Sequence, residues 1–111
     1  MGVSVTGPDD LWRMDELVNR VPERRVLSLE PYLEFIKPEE FMGRIHLFDW
    51  VIVGPQTKPY VEADPYWVAH LVGLCKNFDI PLFMKKALKY PIDKFVQQYP
   101  KGWHRTGKEI V

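Results

Sequence analysis

Trp50-Val51-Ile52-Val53-Gly54-Pro55-Gln56-Thr57 is the stretch that decides how this chain folds. Its apolar half runs without a polar interruption and is rich in β-branched residues, then stops at Gly54-Pro55. That is the pattern of a strand buried on both faces, as in a parallel sheet, rather than of a half-solvated antiparallel one. Two other runs share the design: Val26-Leu27-Ser28-Leu29-Glu30-Pro31 and Pro81-Leu82-Phe83-Met84-Lys85-Lys86. Each turns polar at its carboxyl end, where ligands gather in parallel sheets. If the three runs lie parallel, Glu30, Gln56, Thr57 and Lys85 come together along one rim.

Outward from this stretch, the remaining elements alternate. Gly2 to Thr6 is alternating and β-branched and breaks at Gly7-Pro8, which predicts a first strand. Asp9 and Asp10 put side-chain acceptors and negative charge where a helix begins. Leu11, Met14, Leu17, Val18 and Val21 then follow at near-helical spacing until Pro22. The second strand spans Arg25 to Glu30. Pro38-Glu39-Glu40 suits the first turn of a short helix, closed by Gly43. The third strand covers Phe48 to Val53, and a loop leads to Asp64-Pro65, an N-cap followed by a favoured first helical residue. Val68, Leu71, Val72, Cys75 and Phe78 give that helix its buried stripe. Ile80 to Met84 is the fourth strand, Asp93 to Gln98 reads as a further short helix, and residues 101–111 read as a tail. The expected fold is α/β, a parallel sheet of about four strands in β-α-β-α-β-α-β order with right-handed crossovers.

The bulk composition narrows the function. The 111 residues suit one domain, and 46% apolar with 27% charged residues is ordinary for a globular protein. Fifteen basic and fifteen acidic side chains cancel, so the excess positive charge that non-specific nucleic-acid binding uses is missing. No segment approaches the roughly 18 apolar residues of a membrane span. No basic region followed by an apolar core opens the chain, so the expected location is cytoplasmic. Cys75 is the single cysteine, which excludes an internal disulfide and a cysteine-only metal site within one chain.

Within the candidate rim, a period of two puts Ser28 and Glu30 on one sheet face and Leu27 and Leu29 on the other. Polar residues on a buried strand need partners. Glu30 is neutralised by Lys85, caps a neighbouring loop, or faces a ligand at the rim, and Lys85 is the natural cation there. Gly54 permits a sharp turn or a close approach, while Gln56 and Thr57 supply donors and acceptors. The glycines are too sparse for a phosphate cradle. His46, His70 and His104 have no metal-like spacing, and Cys75 sits in an apolar stripe as a packed thiol. Trp12, Trp50 and Trp67 fall on elements and are expected to pack. Trp103, flanked by Lys101, His104 and Arg105, is either a partner contact or part of a solvated tail. No serine carries a nucleophile-elbow pattern, and no catalytic residue is assigned.

The run Asp49-Trp-Val-Ile-Val-Gly-Pro-Gln-Thr-Lys-Pro, the pair Trp67-Val68 and the run Ile80-Pro-Leu-Phe-Met-Lys resemble the C-terminal half of a phage-associated, radical-SAM-like family of partial TIM-barrel proteins. Gly2-Val-Ser-Val, Ser28-Leu-Glu-Pro and Gln97-Gln98-Tyr99-Pro100 resemble further segments of that barrel, so the likeness covers roughly residues 2–100. The resemblance implies that residues 1–100 form half of a TIM-type barrel, with Glu30, Gln56, Thr57 and Lys85 lining one wall of its cavity; Ser28, on the face of Glu30, joins them in the expected ligand-binding rim. Full-length relatives carry three clustered cysteines for an iron–sulfur cluster that activates S-adenosylmethionine. Cluster chemistry needs thiolate ligands, and the chain lacks such a motif. Cofactors are therefore expected only with a partner chain, and catalysis by the isolated chain is not expected.

A half-barrel leaves its inner sheet face and two strand edges uncovered, which predicts association. Three readings follow. The chain is half of a split radical-SAM enzyme completed by a cysteine-bearing chain, or a non-catalytic phage or mobile-element accessory protein, or a homodimer binding a small ligand at its strand ends. Face-to-face self-association is the leading expectation. A tail folding over the open face is an alternative.

Overall fold

Side by side in chain order stand β1 (Gly2–Ser4), β2 (Val26–Leu29), β3 (Trp50–Val53) and β6 (Leu82–Met84), the last following a small hairpin of β4 (Gln56–Thr57) and β5 (Tyr60–Val61). All neighbours in the main sheet pair in parallel. Between them run α1 (Trp12–Arg20), α2 (Pro38–Phe41) and α3 (Pro65–Asn77). The computed structural model describes residues 2–91 and 94–102.

Register explains why the strand runs are so apolar. Val5, Leu27, Leu29, Val51, Val53, Leu82 and Met84 point to one face, where Met14 and Leu17 of α1 and Val68, Leu71 and Cys75 of α3 close over them in one core. On the opposite face Trp50, Ile52 and Phe83 form a second, smaller cluster. The expected α/β fold is what the chain adopts: a parallel sheet with its helices on one side, the arrangement of half a TIM-type barrel. Each strand is two residues shorter than expected.

Helix ends follow sequence chemistry in part. Asp64 caps α3 by accepting the Tyr66 N–H at 2.8 Å, with Pro65 as the first helical residue. Gly43 follows α2 at φ +83°, a left-handed conformation that costs a glycine little. Asp9 and Asp10 do not cap α1. They lie in a 3₁₀ turn (Pro8–Asp10), and Asp10 reaches back to the Thr6 hydroxyl and N–H at 2.6 and 3.1 Å. Trp12 is a second correction. It is 56% exposed, because its helix turns this side away from the sheet.

The loop before α3 contains the β4–β5 hairpin, which the short polar run at its tip did not reveal. Of the helix expected over 93–98, Asp93 lies outside the described residues; residues 94–98 include no α-helix, and Val96 to Gln98 run antiparallel to β6. Met84 N–H donates to Val96 O and Gln98 N–H to Leu82 O, each at 2.8 Å. The Gln98 side chain accepts the Leu82 N–H, the Gln97 amide donates to Met84 O, and the Trp50 indole N–H donates to Gln98 O. β6 would otherwise leave these groups unpaired, and this demand outweighs the weak helical pattern. Tyr99 then packs on Trp50 and Phe83, with ring centroids 5.6 and 5.5 Å apart. The second sheet face is thus covered on its β3–β6 side by the chain itself.

Candidate functional site

At the carboxyl ends of the strands, one step beyond the paired residues, the register places Glu30 beside Gly54 and Gly54 beside Lys85. Glu30 and Lys85 therefore stand two strands apart, about 10 Å at the backbone. Their side chains lean toward each other over Gly54, and the Lys85 Nζ and Glu30 Oε2 form an ion pair. A Cβ at Gly54 would lie 3.3 Å from Glu30 Oε2 and 3.3 Å from Lys85 Cδ. The missing side chain is what lets the pair span the central strand.

The backbone around this crossing is tied down. Gly54 N–H donates to Leu29 O, Lys85 N–H to Val53 O and Tyr32 N–H to Gly54 O. The two side chains keep 28% and 24% of their surface exposed, so solvent reaches the pair. A ligand charged at one end can compete for either partner there, since neither is sealed in a dry core.

Ser28 lies one step back on the same face, half-buried, and Ser4 on β1 is its register partner. Ser4 was not singled out from the sequence, although its position in an alternating strand carried the same signal as Ser28. Gln56 and Thr57 sit apart on β4. The Gln56 amide donates to Pro59 O at 3.2 Å within the hairpin, and Thr57 is exposed. Neither is hydrogen-bonded to Glu30 or Lys85. The hairpin is pinned toward the segment after Lys85: the Tyr60 hydroxyl donates to Ala87 O at 3.0 Å and the Lys89 ammonium lies 4.7 Å from the Tyr60 ring centre. Of the five expected rim residues, the structure brings Glu30, Lys85 and Ser28 to one face and carries Gln56 and Thr57 on a separate flap.

Other titratable groups serve the fold. The Thr6 hydroxyl, then its N–H, holds the Asp10 carboxyl below its ordinary value. Burial pushes the Cys75 thiol up to about 12, so it is no nucleophile at neutral pH. His70 packs against Phe35 and Tyr66, and His46 against Phe78. Among the described residues, no three His, Cys, Asp or Glu side chains are grouped to hold a metal ion, and no helix is long and apolar enough to cross a membrane. Trp103, His104 and Arg105 lie outside the described residues. A cavity of about 780 Å³ opens beside the C-terminal end of α3. Its charged lining mixes Asp49, Lys76, Asp79 and Lys101, which converge on no one ligand chemistry.

No curated protein and no solved structure matches the chain. A family model described as "Protein of unknown function (DUF5131)" matches residues 1–110. With nearly the whole length inside that match, the chain belongs to the DUF5131 family of proteins of unknown function.

Proposed function

We propose that this chain is half of a radical-SAM-like barrel of phage or mobile-element type, non-catalytic by itself, whose strand-end rim forms one wall of a ligand cavity closed by a second chain. Ser28, Glu30 and Lys85 are the wall's polar groups, and Gln56 and Thr57 are carried on the flanking flap. The observation that supports this reading is the solvent-accessible Glu30–Lys85 pair, set over Gly54 at the carboxyl ends of parallel strands. Such a pair presents a carboxylate and an ammonium to an incoming ligand without unpaired charge in its absence.

The chain's own donors do not fit an iron–sulfur cluster. Cys75 is the only cysteine, it is buried, and its thiol is held far from the thiolate that cluster iron requires. A cysteine-bearing partner has to supply those ligands.

Co-expression with the product of an adjacent reading frame bearing clustered cysteines tests the proposal, with S-adenosylmethionine binding read by equilibrium dialysis. The complex is expected to bind, and Lys85→Met or Glu30→Gln to weaken binding about tenfold or more, the scale of one charge-assisted hydrogen bond. Equal binding by the chain alone, or binding that neither substitution alters in folded protein, overturns it.

A further inference from the structure

The two edges of the main sheet are not alike. The β6 edge is occupied by Val96 to Gln98. The β1 edge pairs with nothing among the described residues. Val5 N–H donates inward to Ser28 O, so in the parallel ladder the N–H and C=O groups of the even-numbered residues of β1 point outward. At Thr6 both outward groups are already used: its N–H by Asp10, its C=O by the N–H groups of Leu33 and Glu34. Those of Gly2 and Ser4 remain, and both residues are exposed.

Beside this edge a groove of about 230 Å³ runs between β1 and α1, lined by Val3, Trp12, Arg13, Glu16, Leu17 and Arg20 with Gly2. Trp12 stands 56% exposed at its side, with the Arg13 guanidinium 5.4 Å from its ring centre. An exposed Trp and Arg beside unpaired strand groups make up the residue chemistry of an interface centre.

We infer that a second copy of this chain occupies the β1 edge, with the two β1 strands antiparallel about a two-fold axis at Val3. Gly2 of each copy then faces Ser4 of the other as a hydrogen-bonded pair, which satisfies all the outward groups left on both edges. The same axis, perpendicular to the sheet, keeps the helices of both copies on one side and sets α1 antiparallel to its counterpart. Glu16 lies between Arg13 and Arg20 on the groove-lining side and pairs with Arg20 of its own helix at 2.8 Å; antiparallel helices then set this exposed pair against the partner's, each Glu16 within about one turn of the partner's Arg13. Val3 and Trp12 from both copies fill the paired grooves. A second copy fits because hydrogen-bond register and charge order are each complementary to themselves under one rotation. The inference does not rest on the rim's ligand, since this edge lies on the far side of β2 and β3 from Lys85.

Sedimentation equilibrium of the full chain tests it, from low micromolar to about 100 micromolar, a range that brackets specific but non-obligate pairing. The expected species has twice the 13.1 kDa chain mass. Trp12→Glu, a change at an exposed position, is expected to raise the dimer dissociation constant about 30-fold or more, the scale of an interface hot spot. Ser4→Pro removes an outward N–H and is expected to act likewise, with far-UV circular dichroism retained in both. Ser28→Arg, which obstructs the helix-free face instead, is expected to leave the dimer intact. A monomer throughout the range overturns the inference, as does a dimer that survives Trp12→Glu or one that only Ser28→Arg disrupts.

Discussion

The Glu30 carboxylate and the Lys85 ammonium are joined although a whole strand separates them, and Gly54 is the residue on that strand which they cross. A neighbouring-strand pair needs only the right register. A pair one strand further apart also needs the intervening position to be empty. The site therefore depends on an absent side chain as much as on the two charged ones.

Gly54→Ala is expected to be tolerated within about 1 kcal/mol, because the atoms it meets at 3.3 Å belong to movable side-chain ends. Gly54→Leu places bulk across the path of both side chains and is expected to cost about 1–3 kcal/mol. Urea unfolding of the two variants checks the order. Equal losses would show that the glycine serves the turn and not the crossing.

Removing either charge alone, by Glu30→Gln or Lys85→Met, is expected to cost about 1 kcal/mol, since both groups retain solvent contact. A double-mutant cycle should return a coupling of about 0.5–1 kcal/mol. A coupling near 3 kcal/mol or above would mean a structural pair of the buried kind, and a structural pair would weaken the ligand reading.

Thr6→Val should move the Asp10 pKa upward toward its ordinary 3.8, because the hydroxyl bond is the main cause of its depression and the N–H bond the second. The sign for stability follows. The wild-type contribution is present above pH 3.8 and is lost as pH falls through the lower folded value. Carboxyl carbon NMR across an acid titration reads both, and an unmoved Asp10 refutes the assignment.

Cys75 is expected to resist a thiol reagent such as Ellman's in the native state at pH 8 and to react fully in denaturant, given its burial. A thiol held at about 12, against 9.0 normally, stays protonated in the folded chain after the unfolded chain has ionised. Stability should thus decline from about pH 9 toward 12. The Tyr32 hydroxyl, raised chiefly by burial, adds a decline of the same sign from its ordinary 10.0 upward. Cys75→Ala should flatten the first part of that slope in unfolding measurements.

Tyr99→Ala uncovers Trp50 and Phe83 and removes two ring contacts. A loss of about 1–3 kcal/mol is expected for a half-buried aromatic. A red shift in native tryptophan emission should accompany it, and its absence would mean that Trp50 is shielded by something else.

Much of the scaffold was legible because apolar runs, prolines and glycines act locally. Trp50 to Val53 reads as a buried strand because Gly54-Pro55 stops a β-branched run, and Asp64-Pro65 pairs a good N-cap with a good first helical residue. The Glu30–Lys85 meeting was legible as one option among several, since strand ends that align bring their next residues together. Other features were not legible because their causes are distant in sequence. Val96 to Gln98 are extended because β6 lacks a neighbour, and Asp10 turns from its helix because Thr6 offers two donors. The β4–β5 hairpin is held from outside by Ala87 and Lys89. No window of a few residues contains the partners of the strip or the hairpin, and Thr6, though only four residues before Asp10, competes with the capping role that an acid at a helix start suggests.

The strip of chain lying along β6 has one more effect. A sheet open on both sides can add copies without limit and grow into a fibre. Here one side is taken by residues 96–98, so the same strip that completes the fold is also a chain terminator. Among the described residues, the β1 side is the one left for an edge-to-edge addition.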